Sequence, residues 1–201
     1  MTRRDRVRGV SLLELLVVLG ILGLMASLSV PSIGGLLAQL SIQAAATHVA
    51  TMVNGARARA AFHGVDVGVK WITVAGDIQF AIYEDGNGNG VLSEDIRTKT
   101  DRLVEGPFSM HGRYPHIEFQ FLPGFIALDP GGNPVGDLAD PIRFGHSDIC
   151  TFSATGRSSP GSVYLSDGHR RQALVRISPG TSRIQVYEWI PGLKARWLKR
   201  L

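Results

Sequence analysis

The sequence predicts an α+β protein in which a long N-terminal helix, transmembrane in its first half and amphipathic in its second, packs on an antiparallel β-sheet domain. Three observations carry that expectation. Residues 10–30 read VSLLELLVVLGILGLMASLSV, an apolar run of roughly 30 Å as a helix, which is enough to cross the hydrocarbon core of a bilayer. Ala38, Ile42, Ala45, Val49, Met52 or Val53, Ala56 and Ala60 then recur at steps of three and four, one stripe able to lie on a sheet. Past Gly64 the chain switches to short β-branched and aromatic runs punctuated by Gly, Pro and Asp.

The first nine residues, MTRRDRVRG, hold four Arg and one Asp, and positive-inside bias keeps this end in the cytoplasm. A secretory signal places its cleavage site after the apolar region, whereas the plausible scissile glycine here, Gly9, precedes it. Cutting after Gly9 leaves a new amino group on Val10, four residues from Glu14, and the mature chain keeps its apolar helix. Glu14 is the sole charge between Val10 and Val30. A carboxylate inside a membrane costs a few kcal/mol unless it finds a partner or the interface, so it marks function by default. A plain single-span anchor with a stray glutamate is the competing reading.

Pro31 and Gly34-Gly35 should loosen the helix, since proline removes a backbone donor and glycine weakens helical propensity. Arg57, Arg59 and His63 suit the C-terminal end of the helix dipole, and Gly64 is a credible stop. Expected strands are 65–74, then 78–83 across an Ala75-Gly76-Asp77 turn, 117–121, 125–128, 149–152, 163–165, 173–177 and 184–189, with 129–141 and 153–161 as loops. The organisation expected is therefore 1–9 as a cleaved leader, 10–63 as the long helix with its transmembrane segment at 10–30, 64–190 as a β-rich domain and 191–201 as a basic C-terminal tail. About 140 residues beyond the helix suffice for one domain with its own core.

Gly9, Val10 and Glu14 with the apolar run resemble the leader and N-terminal helix of type IV pilins and of the pseudopilins of type II secretion. The resemblance implies a pilin-like fold, cleavage by a prepilin peptidase after Gly9 and methylation of the new terminus at Val10, where the family usually has Phe. It implies that Glu14 pairs with the N-terminal ammonium of a neighbouring subunit during assembly. Two opposite charges about 4 Å apart in a medium of low effective dielectric attract by several kcal/mol, so each offsets the other's desolvation and the pair fixes axial register. Further along, 152–157 (FSATGR), 161–168 (GSVYLSDG) and the hairpin 173–178 (ALVRIS) to 180–187 (GTSRIQVY) look like the closing strands of the GspH/FimT branch of minor pseudopilins and minor pilins. That branch implies a subunit that primes or caps a filament, other pilins or pseudopilins and an inner-membrane assembly platform as partners, and a single-pass inner-membrane location with the domain in the periplasm.

Asp85-Gly86-Asn87-Gly88-Asn89-Gly90 opens like a calcium loop, with Asp85, Asn87 and Asn89 at its first, third and fifth positions. Ile96 occupies the place of the bidentate acid, and only Glu94 or Asp95 could substitute after a shift, so a calcium site on Asp85, Asn87, Asn89 and Asp95 would be weak. A solvated Asn-Gly loop is the alternative, because both residues tolerate positive φ.

Charge is unevenly placed. Residues 10–168 hold nine Lys/Arg against fifteen Asp/Glu, net −6, and residues 169–201 hold eight against one, net +7. A basic segment with aromatics binds phosphate backbones or anionic lipid. Some pilins of this branch resemble DNA-uptake receptors, so Arg183, Lys194, Arg196, Lys199 and Arg200, with Arg170 and Arg171, are DNA-binding candidates. Docking of the tail on its own acidic domain or on a neighbouring subunit stands beside that reading. Catalysis finds little support. His111 and His116 flank a Pro loop without metal-ligand spacing, Ser158-Ser159 and His169 lack a nucleophile-elbow context, and the single Cys150 reads as a small buried apolar residue.

Overall fold

The computed structural model describes residues 10–124, 128–190 and 196–200, with backbone alone for 26–33. Helix α1 spans Leu12–His63, and its helical backbone carries through Pro31, where a loosening was expected. The chain divides into two compact units, Met1–Ala38 and Gln39–Leu201.

Among the described residues of the first unit, the large apolar side chains of α1 find no protein to cover them. Exposure runs from 50% at Val18 to 80% at Leu12. A helix with apolar side chains exposed all round suits lipid or neighbouring helices, not water.

In the second unit the remainder of α1 is a core element. Ile42, Ala45, Ala46, Val49, Ala50, Val53, Ala56 and Ala60 are buried, which is the expected stripe from Ile42 onward with two added alanines, while Ala38, expected to begin it, is only half-buried. Alanine at five of these eight positions lets the helix backbone approach closely, and Ile and Val supply most of the transfer energy, about 1.5–3 kcal/mol per fully buried side chain. Gly64 ends the helix with φ 71°, its N–H donating to the Ala60 carbonyl at 3.0 Å.

The β domain holds two antiparallel sheets. The strands are β1 Val67–Val74, β2 Asp77–Glu84, β3 Arg102–Ser109, β4 Ile142–Arg143, β5 Ile149–Phe152, β6 Gly161–Ser166, β7 Gln172–Ile177, β8 Ile184–Ile190 and β9 Arg196–Lys199, with a short helix α2 at Ser93–Thr98. The first sheet has the order β3-β2-β1-β5 and the second β4-β6-β7-β8-β9. Val67, Val69, Trp71, Phe80, Ile82, Cys150 and Phe152 of the first join Val163, Leu165, Ala173, Val175, Ile177 and Val186 of the second and the helix stripe in one core. Trp71 stacks on Phe144 at 5.0 Å between ring centres. The opposite face of the second sheet buries Tyr164, Leu174 and Trp189 under Phe121, Leu122 and Val135.

Several elements differ from expectation. Ile117, Phe119 and Phe121 are buried as an apolar alternation should be, yet only Glu118 pairs, with Ser166, and no ladder forms. The apolar side chains here fill two different cores, so burial is satisfied without strand pairing. β3, α2, β4 and β9 had no expectation. The β1–β2 turn is tighter than the three residues proposed: Val74 pairs Asp77, leaving Ala75 and Gly76 at φ 51° and 86°, the primed hairpin geometry. Of the proposed strand 125–128, residues 125–127 lie outside the described residues.

Candidate processing and assembly segment

Ser11 caps α1. Its side-chain oxygen accepts the Glu14 N–H at 3.2 Å and its carbonyl accepts the Leu15 N–H at 3.1 Å. That is half of a capping box, and the Ser11-x-x-Glu14 spacing before an apolar run was legible in the sequence though not used. Glu14 consequently sits in the first turn, at the positive end of the helix dipole. Gly9, the proposed scissile residue, lies outside the described residues. Val10 stands exposed immediately before the cap.

Among the described residues, Gly34–His63 is long and apolar enough to cross a membrane by length and composition, and Leu12–Met25 is a shorter apolar helix. Burial separates the two. Ile42, Ala45, Val49, Val53 and Ala60 of the former are wholly enclosed by the β domain, so its apolar content is spent on a protein core. The apolar side chains of Leu12–Met25 have no such cover, which suits lipid or neighbouring helices.

The loop after β2 brings Asp85, Asn87, Asn89 and Asp95 together. Asp85 accepts N–H groups from Asn87 at 3.0 Å and from Gly88 and Gly90 at 2.8 Å, and Asp95 accepts the side-chain amides of Asn87 at 3.4 Å and Asn89 at 2.9 Å. Burial pushes the Asp85 carboxyl up, but the backbone hydrogen bonds together outweigh it and hold it below the usual range. Asp101, 2% exposed and absent from the sequence reading, ties both sides of the loop through Gly86 N–H at 3.2 Å and Leu92 N–H at 2.9 Å. Among the described residues no group of three His, Cys, Asp or Glu is placed to hold a metal ion.

The candidate DNA-binding residues do not form one patch. Arg183 sits at the β7–β8 turn, whereas Arg196 pairs with Ile190 at the far end of β8, about 23 Å away along the strand. Lys194 lies outside the described residues. Arg200 is bound to Glu188, with its Nη2 at 2.7 Å and its Nε at 2.8 Å from Oε2. That same oxygen accepts the Gln43 side-chain amide from α1 at 2.7 Å, and Arg171 stands 3.8 Å from Oε1. Glu188 is 2% exposed, so one buried carboxylate of β8 joins α1, the β6–β7 turn and Arg200. A contact between Gln43 and Glu188 has no local sequence signal.

The residues weighed for catalysis are scattered. His111 approaches Glu118 at 3.9 Å beside an open cleft of about 590 Å³ at the β1–β2 turn, and His116 stands apart at φ 72°. His169 occupies the β6–β7 turn, its N–H held by Asp167 at 2.9 Å. Burial pushes the Cys150 thiol up, away from reactive thiolate.

No curated protein and no solved structure matches this chain. Residues 4–30 match the family model described as the prokaryotic N-terminal methylation motif, so the chain carries a type IV pilin-like leader, the kind of segment that a prepilin peptidase processes and that anchors a subunit in a membrane.

Proposed function

We propose that this chain is a minor pseudopilin or minor pilin of the GspH/FimT branch, a structural subunit that helps initiate or cap a type II secretion pseudopilus or a type IV pilus. One observation carries the reading: a methylation motif over residues 4–30 heads a helix whose first apolar turns are uncovered and begin with a capped Glu14. Prepilin peptidase cuts after Gly9 and methylates Val10, the 10–30 segment holds the subunit in the inner membrane, and the β domain faces the periplasm and selects neighbours. During assembly the Val10 ammonium of one subunit meets Glu14 of another. At about 4 Å and an effective dielectric near 20 the attraction is about 4 kcal/mol, enough to fix axial register between helices. The two antiparallel sheets and the β7–β8 hairpin support the branch assignment.

Glu14→Gln tests this. Membrane insertion and cleavage after Gly9 should persist, while the amount recovered in sheared filaments should fall by at least about tenfold, since roughly 1.4 kcal/mol is already a factor of ten. Assembly equal to wild type would remove the electrostatic step.

A further inference from the structure

The second sheet carries a cationic end that neither processing nor filament assembly uses. Register gathers it. Gln172 at the start of β7 faces Trp189, and Ile190 at the end of β8 faces Arg196, so the 167–171 turn and the first residue of β9 lie at one end of the sheet. Asp167 fixes the turn by accepting three consecutive backbone N–H groups, from His169 at 2.9 Å, Arg170 at 2.8 Å and Arg171 at 2.9 Å, which leaves the Arg170 side chain outside. Arg170, Arg196 and Lys199 are exposed and make no ion pair among the described residues. Both acids here, Asp167 and Glu188, are turned inward and satisfied, and Glu188 holds Arg171 and Arg200 behind the exposed cations.

Two hydrogen bonds orient this end within the domain. Gln43 of α1 reaches Glu188 at 2.7 Å, and Arg57 reaches the Ser182 carbonyl at 3.0 Å. The helix therefore runs antiparallel to β8, and the cationic end lies where the chain enters the domain at Gln39. Gln39 follows Val30 by nine residues, at most about 30 Å of chain even fully extended. Such a tether gives any membrane holding residues 10–30 a high effective concentration at this end.

We propose that Arg170, Arg196 and Lys199, backed by Arg171 and Arg200, bind the anionic phospholipid headgroups of the bilayer into which the apolar segment inserts. The proposal rests on the membrane reading of that segment. Headgroups are favoured over a nucleic acid for two reasons. Arg170 and Arg196 lie at one end near the tether and Lys199 three residues further along the edge strand β9, on its other face, so with Arg183 about 23 Å from Arg196 the cations wrap an edge and do not line a groove that tracks a backbone. The Trp197 indole donates to the Leu128 carbonyl at 2.8 Å and packs edge-on against Trp189 at 5.4 Å, so it is engaged and not offered for base stacking. Each cation at an anionic surface contributes about fivefold in association, so three together reach the order of a hundredfold.

The test places the full chain in vesicles of phosphatidylcholine alone or with about one-third phosphatidylglycerol and follows amide hydrogen exchange in peptides covering 167–171 and 196–200. Exchange should slow at least about tenfold with phosphatidylglycerol, and the effect should vanish at about 0.5 M salt, where screening is tight. It should also vanish in the triple variant Arg170→Glu, Arg196→Glu, Lys199→Glu, whose β6 and β7 exchange, if unchanged, reports an intact fold. Equal exchange of the wild type in both compositions, with the chain resisting alkaline carbonate, overturns the headgroup proposal alone. Protection by duplex DNA in neutral vesicles without protection by phosphatidylglycerol overturns it in favour of nucleic acid. Release by carbonate from both compositions overturns the membrane reading and the proposal with it.

Discussion

Glu14 meets two positive neighbours before any second subunit arrives. Its own helix N-terminus is one, and after cleavage the amine on Val10, a residue ahead of the Ser11 cap, is the other. On the function proposed above, assembly would exchange this local attraction for one between subunits, with the gain in moving both charges into a helix bundle where the dielectric is lower. Ser11→Ala removes the acceptor of the Glu14 N–H and should cost about 1 kcal/mol of first-turn stability. Amide exchange at Glu14 should then quicken about fivefold in micelles, and an unchanged rate would deny the cap. Glu188 offers the second residue-level prediction. Glu188→Ala strips Gln43, Arg171 and Arg200 of one shared acceptor and should cost about 3 kcal/mol, at the low end for a buried pair because both arginines reach solvent. Glu188→Gln, which keeps an acceptor for Gln43, should cost less. Urea unfolding of the two variants checks this: equal losses would mean that the acceptor kept for Gln43 contributes nothing, and no loss in Glu188→Gln that the charge contributes nothing.

Elements were legible where local chemistry and pairing agree. The β1–β2 hairpin announces itself by Ala75-Gly76 between two alternating runs, and the helix stripe from Ile42 to Ala60 by its spacing. β3 was not legible, because Glu105, Gly106 and Pro107 interrupt its run, and the ladder tolerates them only on an edge with register shifts against β2. β9 hides among charges and is fixed by β8, not by its own pattern. The loop between β2 and β3 shows how polar groups replace a hydrophobic pattern, since Asp85 and Asp101 hold its backbone. A Cβ on Gly86 would lie 2.0 Å from the Thr100 carbonyl oxygen, so Gly86→Ala should force the loop open and lower Tm by several degrees. Asp85, Asp129 and Asp167 each experience burial that raises the carboxyl and backbone hydrogen bonds that together lower it further, a net depression. With folded values below unfolded ones, their contribution is complete above about pH 4 and drains away as pH falls through the folded values. A pH series of melting temperatures should thus decline below about pH 4, and Asp85→Asn should flatten part of that decline.

At the scale of the whole molecule, sequence and structure divide the labour the same way. The large apolar residues before Pro31 have no protein cover where described, and the stripe from Ile42 to Ala60 is consumed by a core of two sheets and a helix. The leader was legible because the methylation motif over residues 4–30 is linear. The cationic end of the second sheet was legible only as a charge excess, since its arrangement depends on the register of β7, β8 and β9. The account stands most directly on the first residue of the mature chain. Mass spectrometry of protein recovered from membranes of cells with a prepilin peptidase should give a chain that begins at Val10 and carries one added methyl group. A chain that retains residues 1–9, or one that begins beyond Val30 with the apolar segment removed, would contradict it.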